Sequence, residues 1–88
     1  MSMSNNAREK MVTSLRSYLR SLASRRNNGI VTADDAHNYL NRTNVSPRKV
    51  RTRLSLINSA FSGDFYAVGS TPSSREAAKG RQITEWTI

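Results

Sequence analysis

The segment from residue 46 to residue 61 constrains the fold of this chain most, because its residue pattern gives it two different faces. Apolar residues recur there every three or four positions, which predicts one buried stripe along an α-helix. The stripe consists of Val50, Leu54, Ile57 and Phe61. Ser46 suits the N-cap of this helix, and Pro47 suits its first position because proline lacks the N–H that would be unpaired there.

The other sides of this helix carry basic residues and small hydroxyl side chains. At about 100° per residue, one group is expected opposite the apolar stripe and another on its flanks. The opposite group is Arg48, Thr52, Ser55 and Ser59, and the flanking group is Lys49, Arg51 and Arg53. Such side chains suit phosphates and the close approach to base edges, although a solvated helix face is the commoner reason for this pattern.

Length and charge narrow the class of protein. A chain of 88 residues forms one small domain with a modest core. Its formal net charge is +8, and most of its basic residues are arginine, whose planar fork suits phosphates and guanine edges. A surface this basic attracts polyanions, of which nucleic acid is the commonest. An acidic membrane surface or an acidic protein comes second.

The chain lacks the residues that several kinds of functional site require. The chain has no cysteine and a single histidine, His37, so disulfides, thiolate metal sites and a Ser-His-Asp triad are not expected. We therefore predict no enzyme, no cofactor and no metal. No apolar run reaches the length of a membrane span and no signal peptide is recognisable, which predicts a cytoplasmic protein with no membrane partner.

The predicted fold class is mainly α with a small β-hairpin (α+β). Residues 1–5 are expected to be a flexible N-terminus and residues 6–88 one domain. The first helix spans 6–26, with its apolar face toward the core. Ile30 and Val31 form a short edge strand. A second helix runs from the Thr32 cap to about residue 40.

Within the second helix, Asp34 and Asp35 lie against the positive end of the helix dipole. Metal binding by this pair is disfavoured, because adjacent residues point in different directions on a helix. His37 is expected near the surface. Residues 41–45 form a polar turn, in which Val45 fills the angle between the second and third helices.

The C-terminal third is predicted to be a hairpin. A turn at 62–64 precedes a strand at 65–68, and a polar, mobile loop at 69–81 precedes a strand at 82–88. Trp86 is expected to cover the hairpin against the helices, with base stacking as the alternative.

This order of elements resembles a winged helix-turn-helix domain, and the residues from Thr32 onward are similar to a family of small phage-encoded winged-helix proteins. The resemblance is carried by a T-x-D-D helix start, a basic helix with proline near its beginning, a glycine turn, a Ser/Arg-rich wing and a last strand with tryptophan. These parts are Thr32 to Asp35, Ser46 to Arg48, Ser62 to Asp64, Val68 to Arg75 and Lys79 to Trp86. The longer, more basic first helix and the Ser59 to Ser62 segment depart from the pattern.

The resemblance implies binding to double-stranded DNA, with helix 46–61 in the major groove and the 69–81 wing on the backbone or in the minor groove. It implies contacts to bases or phosphates by a set of helix and wing residues. This set is Arg48, Lys49, Arg51, Thr52, Arg53, Ser55, Arg75, Lys79 and Arg81. Such a protein would regulate transcription or replication, and a homodimer formed through helix 6–26 would extend its site. The alternative is a winged-helix module that docks an acidic partner protein; RNA binding is a third possibility.

Overall fold

A computed structural model describes residues 5–43, 45 and 48–88, and it shows an α+β fold of three helices and a small antiparallel sheet. The helices are α1 (Asn5–Arg25), α2 (Ala33–Leu40) and α3 (Val50–Phe61). The strands are β1 (Val31–Thr32), β2 (Tyr66–Pro72) and β3 (Gln82–Thr87), with a short 3-10 helix at Glu76–Ala78. Of the predicted flexible residues 1–5, residues 1–4 lie outside the described part of the chain, and Asn5 is instead the first residue of α1.

The three strands form one sheet in the order β1-β3-β2, with both pairings antiparallel. Val31 pairs with Trp86 on one side of β3, and Ala67 pairs with Trp86 on the other. The predicted pairing of the hairpin with the segment around Val31 is therefore confirmed. β2 extends to Pro72, beyond the predicted end at residue 68, because it pairs with β3 to Gln82 despite a bulge between Ala67 and Gly69.

The core lies between the three helices and one face of the sheet. Its most deeply buried large side chains come from α1, α2, α3 and β1, and they are Leu15, Leu19, Leu40, Leu56 and Val31. Phe61 stacks on Trp86, with ring centroids 5.0 Å apart and ring planes at 12°. The prediction that Trp86 covers the hairpin against the helices is confirmed. Val45 is also buried, as predicted for the turn between α2 and α3.

Helix α3 begins at Val50, and its N-cap residue is Lys49, three residues after the predicted cap. Its first internal hydrogen bond runs from the Arg53 amide to the Lys49 carbonyl, at 3.0 Å. Arg48 and Lys49 therefore precede the helix instead of lying on its first turn. The predicted roles of Ser46 and Pro47 concern residues outside the described ranges.

The buried face of α3 also differs from the predicted stripe. Ile57 and Phe61 are buried as expected, but Val50 is 58% exposed and Leu54 is 48% exposed. The buried position in the first half of the helix belongs to Arg53, which is 3% exposed. The prediction that Arg53 reaches phosphate from an exposed flank is wrong, because its guanidinium lies inside the protein.

Two arginines of α1 hold the opposite side of α3. Arg16 donates to the carbonyls of Ser59 and Ala60, at 2.8 and 3.2 Å, and Arg8 donates to the hydroxyls of Ser55 and Ser59, both at 2.8 Å. A cation at these last carbonyls complements the negative end of the helix. This side of α3 is therefore bonded to α1 through its serine hydroxyls, with Ser55 still exposed and Ser59 half-buried.

The large apolar residues of α1 are in the core or packed against it, and none belongs to the exposed large hydrophobic side chains of the described residues. Among the described residues, α1 therefore has no large apolar side chain in the exposed class, and the homodimer through this helix stays a prediction. No helix within the described ranges is long and apolar enough to cross a membrane.

Arg16→Ala should lower the free energy of unfolding by about 1–2 kcal/mol, since it leaves the Ser59 and Ala60 carbonyls without their charged donor. Urea denaturation followed by circular dichroism measures this. Arg25→Ala is the matched control, because Arg25 is exposed and its hydrogen bond within the described residues goes to the Ser21 carbonyl of its own helix, at 3.4 Å. An equal loss in both variants would contradict the clamping role of Arg16.

Candidate nucleic-acid interface

Arg53 is the buried residue on which the start of α3 is fixed. Its Nη2 atom donates to the Val45 carbonyl at 2.8 Å, and its Nη1 atom lies 3.3 Å from Nδ1 of His37. Its Nε atom is buried and has no partner among the described residues. Burial, followed by the positive charge of Arg75, lowers the pKa of Arg53. One guanidinium thus joins α2, the turn and the first turn of α3.

The partner of Arg53 on α2 is a buried neutral histidine. A guanidinium can only donate, so Nδ1 of His37 accepts and the ring proton sits on Nε2. Burial lowers the pKa of His37 to about 4, and the charges of Arg75 and Arg53 act in the same direction. His37 is 7% exposed, so the predicted surface position is wrong. Its ring packs inward because α3 supplies a donor that needs an acceptor there.

Asp34 ties the loop at 73–81 to the beginning of α2. Its carboxylate accepts from the Ser73 hydroxyl at 2.7 Å, the Ser74 amide at 2.7 Å and the Ser74 hydroxyl at 3.0 Å. Burial disfavours the charged form of Asp34, but the hydrogen bonds from both serines and the charge of Arg75 outweigh it and lower its pKa. Asp34 and the two serines form the corner contact.

The neighbouring carboxylate has different partners. Asp35 accepts from both terminal nitrogens of Arg26, at 2.7 and 2.9 Å, and from the Thr32 amide at 2.8 Å. The hydrogen bond to Asp35 raises the pKa of Arg26. The two aspartates therefore point to different partners, as predicted. The described residues hold no group of three or more His, Cys, Asp or Glu residues that could bind a metal ion.

The loop at 73–81 is folded, which corrects the prediction of a mobile segment at 69–81. The Ser73 amide donates to the Arg81 carbonyl at 2.8 Å and closes the loop. A 3-10 turn lies between them, and Lys79 adopts the left-handed conformation with φ of 50° just before Gly80. Composition pointed to mobility, but the hydrogen bonds to Asp34 and within the loop fix its backbone.

The predicted contact residues fall into three groups. Exposed or half-exposed side chains near α3 and in the loop belong to the first group, which is Arg48, Lys49, Arg51, Arg75, Lys79 and Arg81. Arg53 is buried and forms the second. In the third group, the Ser55 hydroxyl accepts from Arg8, and Thr52 lines a cleft of about 550 Å³ between α1, the end of α2 and the start of α3.

The loop and the start of α3 are close together. Arg75 lies near enough to both His37 and Arg53 to lower their pKa values. Arg53 belongs to the first turn of α3, and the exposed Arg51, two residues before it, lies about 200° away around the helix. The charge of Arg75 in the loop therefore acts on the two buried groups that fix the first turn of α3.

Sequence reasoning missed two features of this surface. Val50 and Leu54 face solvent, although the apolar pattern assigned them to the core. Asp34 positions the loop, whereas the sequence pattern predicted only its interaction with the positive end of the α2 dipole. The two consecutive serines after Pro72 indicated a contact with a buried carboxylate, since paired hydroxyls suit such a group. Nothing in the sequence specified Asp34 as their partner.

No protein-family model, curated protein or solved structure matches this chain. The resemblance to small phage-encoded winged-helix proteins accordingly stays a prediction from the sequence.

The buried histidine gives the protein a specific pH dependence. Its pKa is about 4 in the folded protein and about 6.5 when unfolded, so the unfolded chain binds more protons between these values. Stability should therefore fall as the pH decreases from about 6.5 toward 4, by about 1–2 kcal/mol between pH 7 and pH 5. Urea denaturation across this range measures the slope.

His37→Asn is the matched variant, because its amide oxygen can replace Nδ1 as acceptor but cannot titrate. The variant should show a flatter dependence of stability on pH between 7 and 5. A slope equal to that of the unaltered protein would contradict this account of His37. Asp34 does not interfere, since its lowered pKa places its contribution below this range.

Asp34→Ala should loosen the loop, because the buried Ser73 hydroxyl and the Ser74 amide lose their acceptor. We expect a loss of about 1–3 kcal/mol in the free energy of unfolding and faster amide exchange in residues 74–79. Hydrogen exchange measured by mass spectrometry or NMR follows this. Asp64→Ala is the control, since Asp64 forms only an exposed ion pair with Arg20. Unchanged exchange in the loop would show that Asp34 does not hold it.

Proposed function

We propose that the domain is a winged helix-turn-helix module that binds double-stranded DNA. In this proposal the first half of α3 enters the major groove, and the 73–81 loop is the wing, which lies along the adjacent backbone or in the minor groove. A small basic module of this kind would regulate transcription or replication and would catalyse no reaction.

The corner contact between Asp34 and the Ser73–Ser74 segment is the observation that carries this proposal. It attaches the loop beside α2, where Arg75 approaches Arg53 in the first turn of α3. In this proposal the cations of the loop and the exposed cations of α3 contact the same duplex. A duplex requires this arrangement, because phosphates flank the groove that the helix enters.

The charge distribution supports the same proposal. The formal net charge is +8, and three of the six acidic residues are engaged within the fold by hydrogen bonds or ion pairs. These are Asp34, Asp35 and Asp64. The other three are Glu9, Glu76 and Glu85, of which Glu76 lies in the loop next to Arg75. The resulting positive surface favours association with a polyanion.

A second function is favoured by one observation. Val50 and Leu54 are exposed beside Arg51, and an apolar strip between cations also suits an acidic protein partner with apolar side chains. In that case the domain would be a docking module. Such a partner would bind without any duplex, so a preference for duplex DNA distinguishes DNA binding from protein docking.

Affinity for a duplex should fall steeply with salt. If the six exposed or half-exposed cations near α3 and in the loop neutralise phosphates, log K should fall with log salt at a slope of roughly −5. Arg51→Ala and Arg75→Ala should each reduce that slope by about 1 and weaken binding to all duplex sequences similarly. Fluorescence anisotropy with a labelled random duplex measures both quantities.

Arg25→Ala is again the control, because it removes one exposed cation at the far end of α1. It should leave the slope within a few tenths of its original value. A duplex affinity that does not depend on salt, or an equal change of the salt slope in all three variants, would contradict the insertion of α3 into the major groove. A gel shift should also show preference for duplex DNA over the same sequence as a single strand and over duplex RNA; absence of that preference would favour protein docking or RNA binding.

A further inference from the structure

Val50 and Leu54 place two aliphatic side chains on the outside of α3, in the half of the helix assigned to the groove. They are 58% and 48% exposed. They are one helical turn apart, and at about 100° per residue they lie within about 40° of each other on the helix circumference. Lys49 and Arg51 flank the first of them in sequence. A short apolar strip is thus framed by cations.

The side-chain arrangement in the first turns of α3 opposes the stability of the protein. Arg53, a charged residue, occupies the buried position, while two aliphatic side chains are in water. Burying a guanidinium and exposing aliphatic groups both oppose stability. Farther along, Ile57 and Phe61 continue the same stripe and are buried normally. The reversal is confined to the half of α3 that bears the cations, and such local departures are expected at functional surfaces.

We propose that Val50 and Leu54 contact the 5-methyl groups of thymines in the major groove, so that the domain prefers duplexes with thymine at two nearby positions. This inference rests on the proposed function. The thymine methyl is the apolar group that base pairs present in the major groove, and aliphatic side chains contact it. Cations on either side bring phosphates to the strip, which a purely apolar protein partner would not require.

The spacing of the two side chains limits where the thymines lie. Four residues advance about 6 Å along the helix axis. Successive base pairs are about 3.4 Å apart along the duplex. If α3 lies along the groove, Val50 and Leu54 therefore reach methyl groups about two base steps apart.

The test begins with selection of bound fragments from a random duplex library. The selected site should contain thymine at two positions separated by one or two steps. Each thymine is then replaced by deoxyuridine, which removes the methyl group and keeps base pairing. We expect binding to weaken about three- to fourfold for each methyl that is contacted.

Leu54→Ala identifies the side chain responsible. It should bind the thymine duplex more weakly, and it should lose the sensitivity to one of the two deoxyuridine replacements; Val50→Ala should lose the sensitivity to the other. Val68→Ala is the matched control, since Val68 is an exposed aliphatic residue of β2 and should leave affinity and sensitivity unchanged. Thermal melting confirms that the variants fold, as both substituted helix residues are exposed.

The outcomes separate this inference from the proposed function. Salt-dependent duplex binding that is indifferent to deoxyuridine, or a Leu54→Ala protein that keeps full sensitivity to both replacements, would overturn the thymine contact alone. No duplex binding at all would overturn both. Binding of an acidic protein that is lost in Leu54→Ala, without duplex binding, would assign the strip to protein docking.

Discussion

The placement of α3 depends on the buried guanidinium of Arg53. It binds the Val45 carbonyl in the preceding turn and the ring of His37 on α2, so it fixes the angle at which the two helices meet. Because a guanidinium only donates, His37 must stay neutral, and burial together with nearby cations keeps it so. A buried charge without a carboxylate partner is costly, so its hydrogen bonds specify one arrangement at some expense of stability.

Three other arginines stabilise the fold through hydrogen bonds between its elements. Arg8 and Arg16 bind α3, and Arg26 binds Asp35 at the start of α2. These side chains hold the helices together. The net charge of +8 therefore includes cations that have a structural role within the fold.

The loop at 73–81 shows how a single carboxylate can organise a surface. Asp34 belongs to the first turn of α2, and its carboxylate accepts from Ser73 and Ser74 at the corner. Position 34 thus connects residues about forty apart in sequence. Through this contact the beginning of α2 holds the loop, and the charge of Arg75 in that loop acts on the buried His37 and Arg53.

The sequence by itself determined that the chain forms three helices and a C-terminal hairpin, that Phe61 and Trp86 pack inward, and that the charge is positive. Periodicity, caps and composition act within a few residues, so they gave the elements but not the start of α3 or the end of β2. Only the tertiary structure decided that Arg53 and His37 lie inside, that Val50 and Leu54 lie outside, and that the loop is held by Asp34. Those outcomes depend on where α1, α2 and the sheet end relative to α3. One apolar stripe of α3 is therefore buried at Ile57 and Phe61 and exposed at Val50 and Leu54, one or two turns earlier.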